Sequence, residues 1–207
     1  LPISIIVNQD PSSKSSMPVI RSVNQTEGME FTWSIWIYIK PVTASASDTS
    51  YSHVFSKGMY NDGSIGGKCN PFSNNAPGLY LSNVNTLTVV MDSTTTPGCK
   101  TDTNTPITID NMPINKWFNV VIRLTNNNLD VYINGRLTDR KTFTDGVPNQ
   151  NYDDVYICQN GGFNGSLSDL RYYAKALNVF EINNIVAWGP NLSTSPSAQE
   201  AKTTSDS

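Results

Sequence analysis

From Phe31 to Lys40 the chain alternates without a break. Phe31, Trp33, Ile35, Ile37 and Ile39 fall on one side, Thr32, Ser34, Trp36, Tyr38 and Lys40 on the other. A period of two sends successive side chains to opposite faces of an extended strand, whereas a helix repeats at about 3.6 residues. The same order returns in Val120, Ile122 and Leu124, interleaved with Asn119, Val121 and Arg123. It returns again in Leu129, Val131 and Ile133 against Asp130, Tyr132 and Asn134. Several strands, each with one apolar face, must cover that face with something apolar, and two facing sheets do so with strands alone.

Turn signals separate the runs: Asn126, Asn127 and Asn128 in sequence, then Asn134-Gly135, Asp145-Gly146, Gly161-Gly162 and Asn164-Gly165. Asn-Gly between alternating runs marks a hairpin, because both residues tolerate positive φ. Residues 129–134 and 137–143 are therefore expected to pair. Further strands are predicted at 3–7, 19–23, 53–57, 79–82, 86–92, 107–110, 155–158 and 166–173. One helix is predicted near the end: Asn178 as its cap, Glu181 as capping-box partner, and Val179, Ile182, Ile185 and Val186 as its apolar stripe. Gly189-Pro190 stops it. The fold class is thus all-β, an antiparallel jelly-roll sandwich with one short C-terminal helix. Residues 1–190 read as one domain and 191–207 as a tail. The stretches 41–51, 61–77 and 93–105 lack clear strands and are expected to form the rim loops.

With Lys+Arg 14 against Asp+Glu 17, the net charge of −3 argues against a nucleic-acid binder, which needs a basic patch to displace counterions. An aromatic content of 10% supplies a core and argues against disorder. No run approaches the ~18 to 20 apolar residues of a membrane span. The chain opens on Leu1, so a signal peptide or anchor upstream is compatible with the sequence.

Little of the polar chemistry is arranged for catalysis. His53 is the one histidine, no Gly-x-Ser-x-Gly elbow occurs, and His53 reads as a strand-edge residue. One His and three separated Cys offer no zinc-ligand spacing. Cys69 and Cys99 flank the hairpin predicted over residues 79–92, in loops that can meet at one rim. A disulfide there would stabilise by roughly 3 to 4 kcal/mol, and the alternative is two free surface thiols. Cys158 falls in a strand and reads as a small packing residue. Asn24, Asn164 and Asn191 each open an N-glycosylation triplet. Tyr51, Tyr60, Phe72 and Tyr152 stand in loops beside Asn and Asp, the pairing lectin sites use to stack and hydrogen-bond a sugar. Asn61 and Asp62 are the best placed of those neighbours.

Three segments read together carry a family resemblance. The first is 31–38, with Trp33 and Trp36, followed by 54–58. The second is 115–122, with Trp117, running into 129–137 with Tyr132 and Asn134-Gly135. The third is 155–173, with Phe163, Gly165 and Tyr172, followed by Ala176, Leu177, Glu181 and Ile182. In this order they resemble the concanavalin A-like lectin/glucanase superfamily in its laminin-G-like form. Trp117, in that pattern, is expected to lie across the sandwich core.

The resemblance implies a fold more firmly than a ligand. Hydrolases of the superfamily set carboxylates in a Glu-x-Asp-x-x-Glu pattern along one strand. Here Glu27 and Glu30 would face opposite sides, Asp153 and Asp154 are adjacent, and a glycosidase is disfavoured. Calcium is the metal the superfamily sometimes carries, and Asp62 falls where laminin-G-like domains place a ligating Asp. No partner carboxylate matches.

Residues 26–32, 114–118 and 160–165 further resemble modules of large DNA viruses of algae and protists, in which an N-terminal anchor often precedes the domain. That likeness implies a non-catalytic structural component of a virion surface or capsid shell, or of the outer face of a membrane. Its partners would be neighbouring virion proteins. A glycan-binding attachment module using Tyr60, Asn61, Asp62 and Phe72 is the alternative. Residues 193–207 contain Ala198, Ala201 and Pro196 and otherwise almost nothing apolar. Ordering them costs roughly 1 to 2 kcal/mol per residue. The tail, anchored by Trp188 and Leu192, is expected to run across a neighbouring subunit.

Overall fold

The computed structural model describes residues 28–41, 51–59, 74–82, 85–94 and 106–193. Among them the strands in chain order are β1 (Glu30–Ile39), β2 (Ser52–Gly58), β3 (Asn75–Ser82), β4 (Thr86–Val90) and β5 (Ile107–Ile109). They continue as β6 (Trp117–Thr125), β7 (Asn128–Ile133), β8 (Arg136–Thr142), β9 (Val155–Ile157) and β10 (Gly165–Tyr173), and α1 (Val179–Trp188) follows. One sheet runs β10-β1-β6-β7-β8 and the other β5-β4-β3-β2-β9, every strand pair antiparallel. The expected strands at 3–7 and 19–23 lie outside the described residues.

Alternation becomes packing directly. Phe31, Trp33, Ile35, Ile37 and Ile39 of β1 and Phe118, Val120, Ile122 and Leu124 of β6 face Phe55, Leu79, Leu87 and Val89 of the opposite sheet. Trp33 closes on Phe55 and Tyr172, with ring centroids 5.3 and 4.9 Å away. The predicted hairpin forms as β7 and β8, with Asn134 at φ 49° and Gly135 at φ 79°, the left-handed pair such a turn requires. Gly165 enters β10 so close to β1 that a Cβ there would lie 2.2 Å from the Tyr38 carbonyl oxygen.

The other face of the first sheet is also covered. Ile182 and Ile185 of α1 pack on Val121 and Tyr132, and Leu177 joins them. The helix holds this position through the predicted capping box between Asn178 and Glu181. Ahead of it, the Leu177 N–H donates to Thr32 Oγ1 at 2.9 Å, and Arg123 Nη1 donates to the Leu177 carbonyl at 3.1 Å. Beneath the helix, Asp130 is fully buried between Arg123 and Arg140.

Four expectations need correction. Trp117 does not cross the core: it lies half-buried on the outer face of β6, its ring centroid 5.5 Å from that of Tyr38. The phase of its own strand explains this, because Phe118, Val120 and Ile122 take the inner positions. Asn75, Ala76 and Pro77, assigned to a loop, belong to β3, which starts at Asn75. His53 is no edge residue, for it is buried within β2. Cys158 is half-buried just past β9, with a left-handed backbone at φ 50°, instead of packing inside a strand.

Candidate functional site

The outer face of the second sheet is polar yet buried: His53, Ser56, Asn75, Tyr80, Thr88 and Asp92 are all inaccessible. Register shifts between His53 and Phe55 and between Ser56 and Gly58, an irregular step in β3 that leaves both Ala76 and Leu79 in the core, and the alternation of β4 point these side chains away from the core. They form one directed chain. The Gln159 backbone N–H donates to His53 Nδ1 at 3.0 Å. The neutral ring therefore carries its proton on Nε2 and donates to Ser56 Oγ at 2.9 Å. Ser56 bonds the Tyr80 phenol, and Tyr80 Oη donates to Asn75 Oδ1 at 2.6 Å. The Asn75 backbone N–H then donates to Asp92 Oδ2 at 3.0 Å, while its amide Nδ2 has no partner.

Burial lowers the His53 pKa from 6.5 to about 4 and raises that of Tyr80, so both stay neutral at pH 7. The polarity of the Ser56–His53 bond is the reverse of what a serine nucleophile needs. A catalytic imidazole must accept the hydroxyl proton, and here it gives one.

Beside this chain, at the end of β2, a rim is assembled from distant segments. Lys57 Nζ donates to the Asn151 carbonyl at 3.0 Å, to Asn151 Oδ1 at 3.3 Å and to the Asp153 carbonyl at 2.7 Å. Desolvation lowers its pKa, and Asp153 and Asp154 offset part of that by attraction. Asn151 Nδ2 returns a bond to the Lys57 carbonyl at 3.0 Å and reaches Asn74 Oδ1 at 3.3 Å, while Asn74 Nδ2 bonds Asp153. The Gly58 N–H donates to the Asp154 carbonyl at 3.0 Å, and a Cβ at Gly58 would lie 1.6 Å from the Asn74 carbonyl oxygen. Held in this way, Tyr152 projects with 80% of its surface exposed between Asn151 and Asp153. An exposed ring flanked by amide and carboxylate groups can stack a sugar and hydrogen-bond its hydroxyls.

Of the sequence-derived site residues, Tyr152 and Tyr51 are exposed, and Tyr152 is the one placed in this rim. Tyr60, Asn61, Asp62, Phe72, Cys69, Cys99 and Asn24 lie outside the described residues, although Met59 and Asn74 on either side of 60–73 do not. Asn164 and Asn191 are both exposed, the first donating to the Pro41 carbonyl at 3.3 Å and the second accepting from the Ser193 N–H at 2.9 Å. Among the described residues no three His, Cys, Asp or Glu gather, and the oxygens converging at Asn151 and Asp153 hold an ammonium; the calcium candidate Asp62 lies outside them. Sequence reading missed Lys57, Asn74, Asn75 and Tyr80. No local signal marked them, because Lys57 finds Asn151 across 94 positions and Asn74 finds Asp153 across 79.

A family model describing the concanavalin A-like lectin/glucanases superfamily matches residues 12–183. The chain belongs to that superfamily. No curated protein matches it by sequence. Among solved structures, the botulinum neurotoxin type G receptor-binding domain is similar at 17% identity and a TM-score of 0.52, over 78% of this chain and 38% of that one. The serotype D ligand-binding domain in complex with N-acetylneuraminic acid gives 16% identity and a TM-score of 0.57, over 84% and 39%. The type DC binding domain in complex with rat synaptotagmin II gives 19% and 0.51, over 77% and 36%. This superfamily member thus spans less than two-fifths of each of those chains, and at such identities the likeness is one of fold.

Proposed function

We propose that this chain is a non-catalytic, lectin-like binding module that recognises a glycan at the rim formed by Asn74, Asn151, Tyr152 and Asp153. The observation that carries the reading is Tyr152, an almost fully exposed ring on a backbone fixed by Lys57. The superfamily and the neighbours solved in complex with N-acetylneuraminic acid and with rat synaptotagmin II support a binding role. The reversed Ser56–His53 bond supports the absence of catalysis. The proposed setting is the outside of a particle or membrane, such as a virion surface, where a binding module meets its ligand.

A second reading, that of a structural component acting through protein contacts, is favoured by α1 and the residues after it. Phe180, Trp188 and Leu192 are 83%, 72% and 65% exposed there. A glycan array separates the two. Specific binding that Tyr152→Ala reduces by about tenfold or more, near the ~1 to 3 kcal/mol of one stacking ring, supports the module. A protein that binds no glycan refutes it in favour of the structural role, and binding unchanged without Tyr152 refutes the rim as its site.

A further inference from the structure

The last turn of α1 and the residues behind it leave Trp188 and Leu192 largely exposed. Tryptophan is highly buried on average, so a ring this far into solvent points to something that covers it. Residues 176–193 carry a single charge, Glu181, and Lys175 pairs with it. This end of the helix is therefore apolar and uncharged, a poor match for a charged partner.

The chain between the two side chains is pinned. Gly189 ends the helix, its N–H donating to the Val186 carbonyl at 3.2 Å. Asn191 then settles on β10, an end strand of the first sheet among the described residues. Its N–H donates to Asp169 Oδ2 at 3.0 Å, and its carbonyl accepts from Ser168 Oγ at 2.7 Å. Asp169 reaches out from a left-handed backbone, φ 50°, at the bulge where β10 slips against Ser34 and Trp36 of β1. A strained residue of this kind persists where its surroundings hold it, and Asp169 is held by Asn191 and by Arg171, 3.1 Å from its Oδ1. The Asn191 side chain turns back along the chain, its Oδ1 accepting from the Ser193 N–H at 2.9 Å.

Asn191, Leu192 and Ser193 are all exposed, and together they make the Asn-x-Ser acceptor triplet of N-linked glycans. The triplet at Asn164 is set differently. Its Nδ2, the atom that would take the sugar, donates to the Pro41 carbonyl at 3.3 Å, and Gly165 behind it enters β10 with no room for a Cβ. Beside Asn191 there is apolar surface instead: Leu192 is adjacent, and Trp188, three residues back, is at most about 10 Å away along the chain.

We propose that Asn191 is an N-glycosylation site and that the innermost sugars of its glycan lie over Trp188 and Leu192. Asn191 Nδ2 attacks C1 of the first N-acetylglucosamine of a lipid-linked oligosaccharide diphosphate. The N–C bond forms, the C–O bond to the departing diphosphate breaks, and one amide proton is released to solvent. Oδ1 remains an acceptor, so the bond from Ser193 survives the transfer. The apolar face of the pyranose ring then covers the indole. A glycan placed here closes this end of α1 to protein partners and leaves the rim on the other sheet open. Its occurrence in the native chain rests on the proposed setting outside a particle or membrane, so the experiment supplies the compartment.

The full chain is secreted from a eukaryotic cell line behind a cleavable signal peptide, and its peptides are weighed before and after peptide N-glycosidase treatment. Asn191 should carry a glycan in most molecules and read as Asp after the treatment. Asn191→Gln and Ser193→Ala should each abolish it, and Ser193→Thr should retain it. Ser193→Ala keeps the backbone N–H that holds the Asn191 side chain, so a lost glycan there is not a lost fold. Acrylamide quenching of tryptophan fluorescence falls mainly on Trp188, because Trp33 and Trp36 are buried and Trp117 is half-buried. Removing the glycan should raise that quenching about twofold. A secreted chain bare at Asn191 would overturn the site, and quenching unchanged by deglycosylation would overturn the covering of Trp188. Because secretion is imposed, neither outcome depends on where the native chain resides or on whether the rim binds a sugar.

Discussion

At the residue scale, His53 makes stability depend on pH. Its folded-state pKa of about 4 lies below the 6.5 of an unconstrained imidazole because burial penalises the charged ring. Between those values the unfolded chain takes up a proton that the folded chain refuses, so stability is complete above pH 6.5 and falls as the pH drops. At about 1.36 kcal/mol per unit the full loss, reached below pH 4, is on the order of 3 kcal/mol. Urea midpoints measured at pH 7 and pH 5 should show the decrease, and His53→Gln, which cannot titrate, should flatten it. An equal decrease in that variant would place its origin elsewhere. Gly58 gives a steric counterpart. With the Asn74 carbonyl 1.6 Å from where a Cβ would stand, Gly58→Ala should cost about 3 kcal/mol in thermal or denaturant unfolding.

At the element scale, α1 is held by its cap and by two side chains. Asn178 accepts from the Glu181 N–H at 3.0 Å, and Glu181 Oε2 accepts from the Asn178 N–H at 2.9 Å. Asn178→Ala should therefore cost about 1 kcal/mol. Ile182→Ala, at a fully buried position against Val121 and Tyr132, should cost about 3 kcal/mol. Denaturant titration of the two variants checks the ranking, and a larger loss at the cap would mean that the helix is held from its end and not from its face. One edge of the same sheet among the described residues is β8, whose Arg136, Asp139, Arg140 and Lys141 set charges along a strand that would otherwise template pairing with another chain.

At the scale of the whole molecule, the first sheet lies between two apolar layers, the sandwich core on one side and α1 on the other. A sheet shared in this way couples the layers, so the helix should not melt before the strands. In a Trp188→Phe variant, whose remaining tryptophans Trp33, Trp36 and Trp117 all lie on the first sheet, fluorescence and far-UV circular dichroism should trace one coincident urea transition. Separate transitions would show α1 to be an independent unit. The rim at Tyr152 and the Tyr38–Trp117 pair stand on different sheets.

How much was legible in the sequence follows from the range of the interactions. Residues 31–39 announced a strand, Asn134-Gly135 a hairpin and Asn178 with Glu181 a helix start, because pleat, turn and cap are decided by neighbours within a few positions. The phase of that alternation also contained the correct placement of Trp117, once Phe118 is counted among the inner residues. The rim was not legible. Lys57 meets Asn151 across 94 positions and His53 meets Gln159 across 106, and no local rule selects such partners. Nor could alternation tell a solvated polar face from the buried polar chain of His53, Ser56, Tyr80 and Asn75. Periodicity assigns a side chain to a face, but only the closing of strands distant in sequence determines what that face meets. By itself the sequence determined most strands of the described residues, the helix and the sandwich. Tertiary structure alone decided which polar groups face one another, because their partners are brought together by the burial of the apolar face behind them.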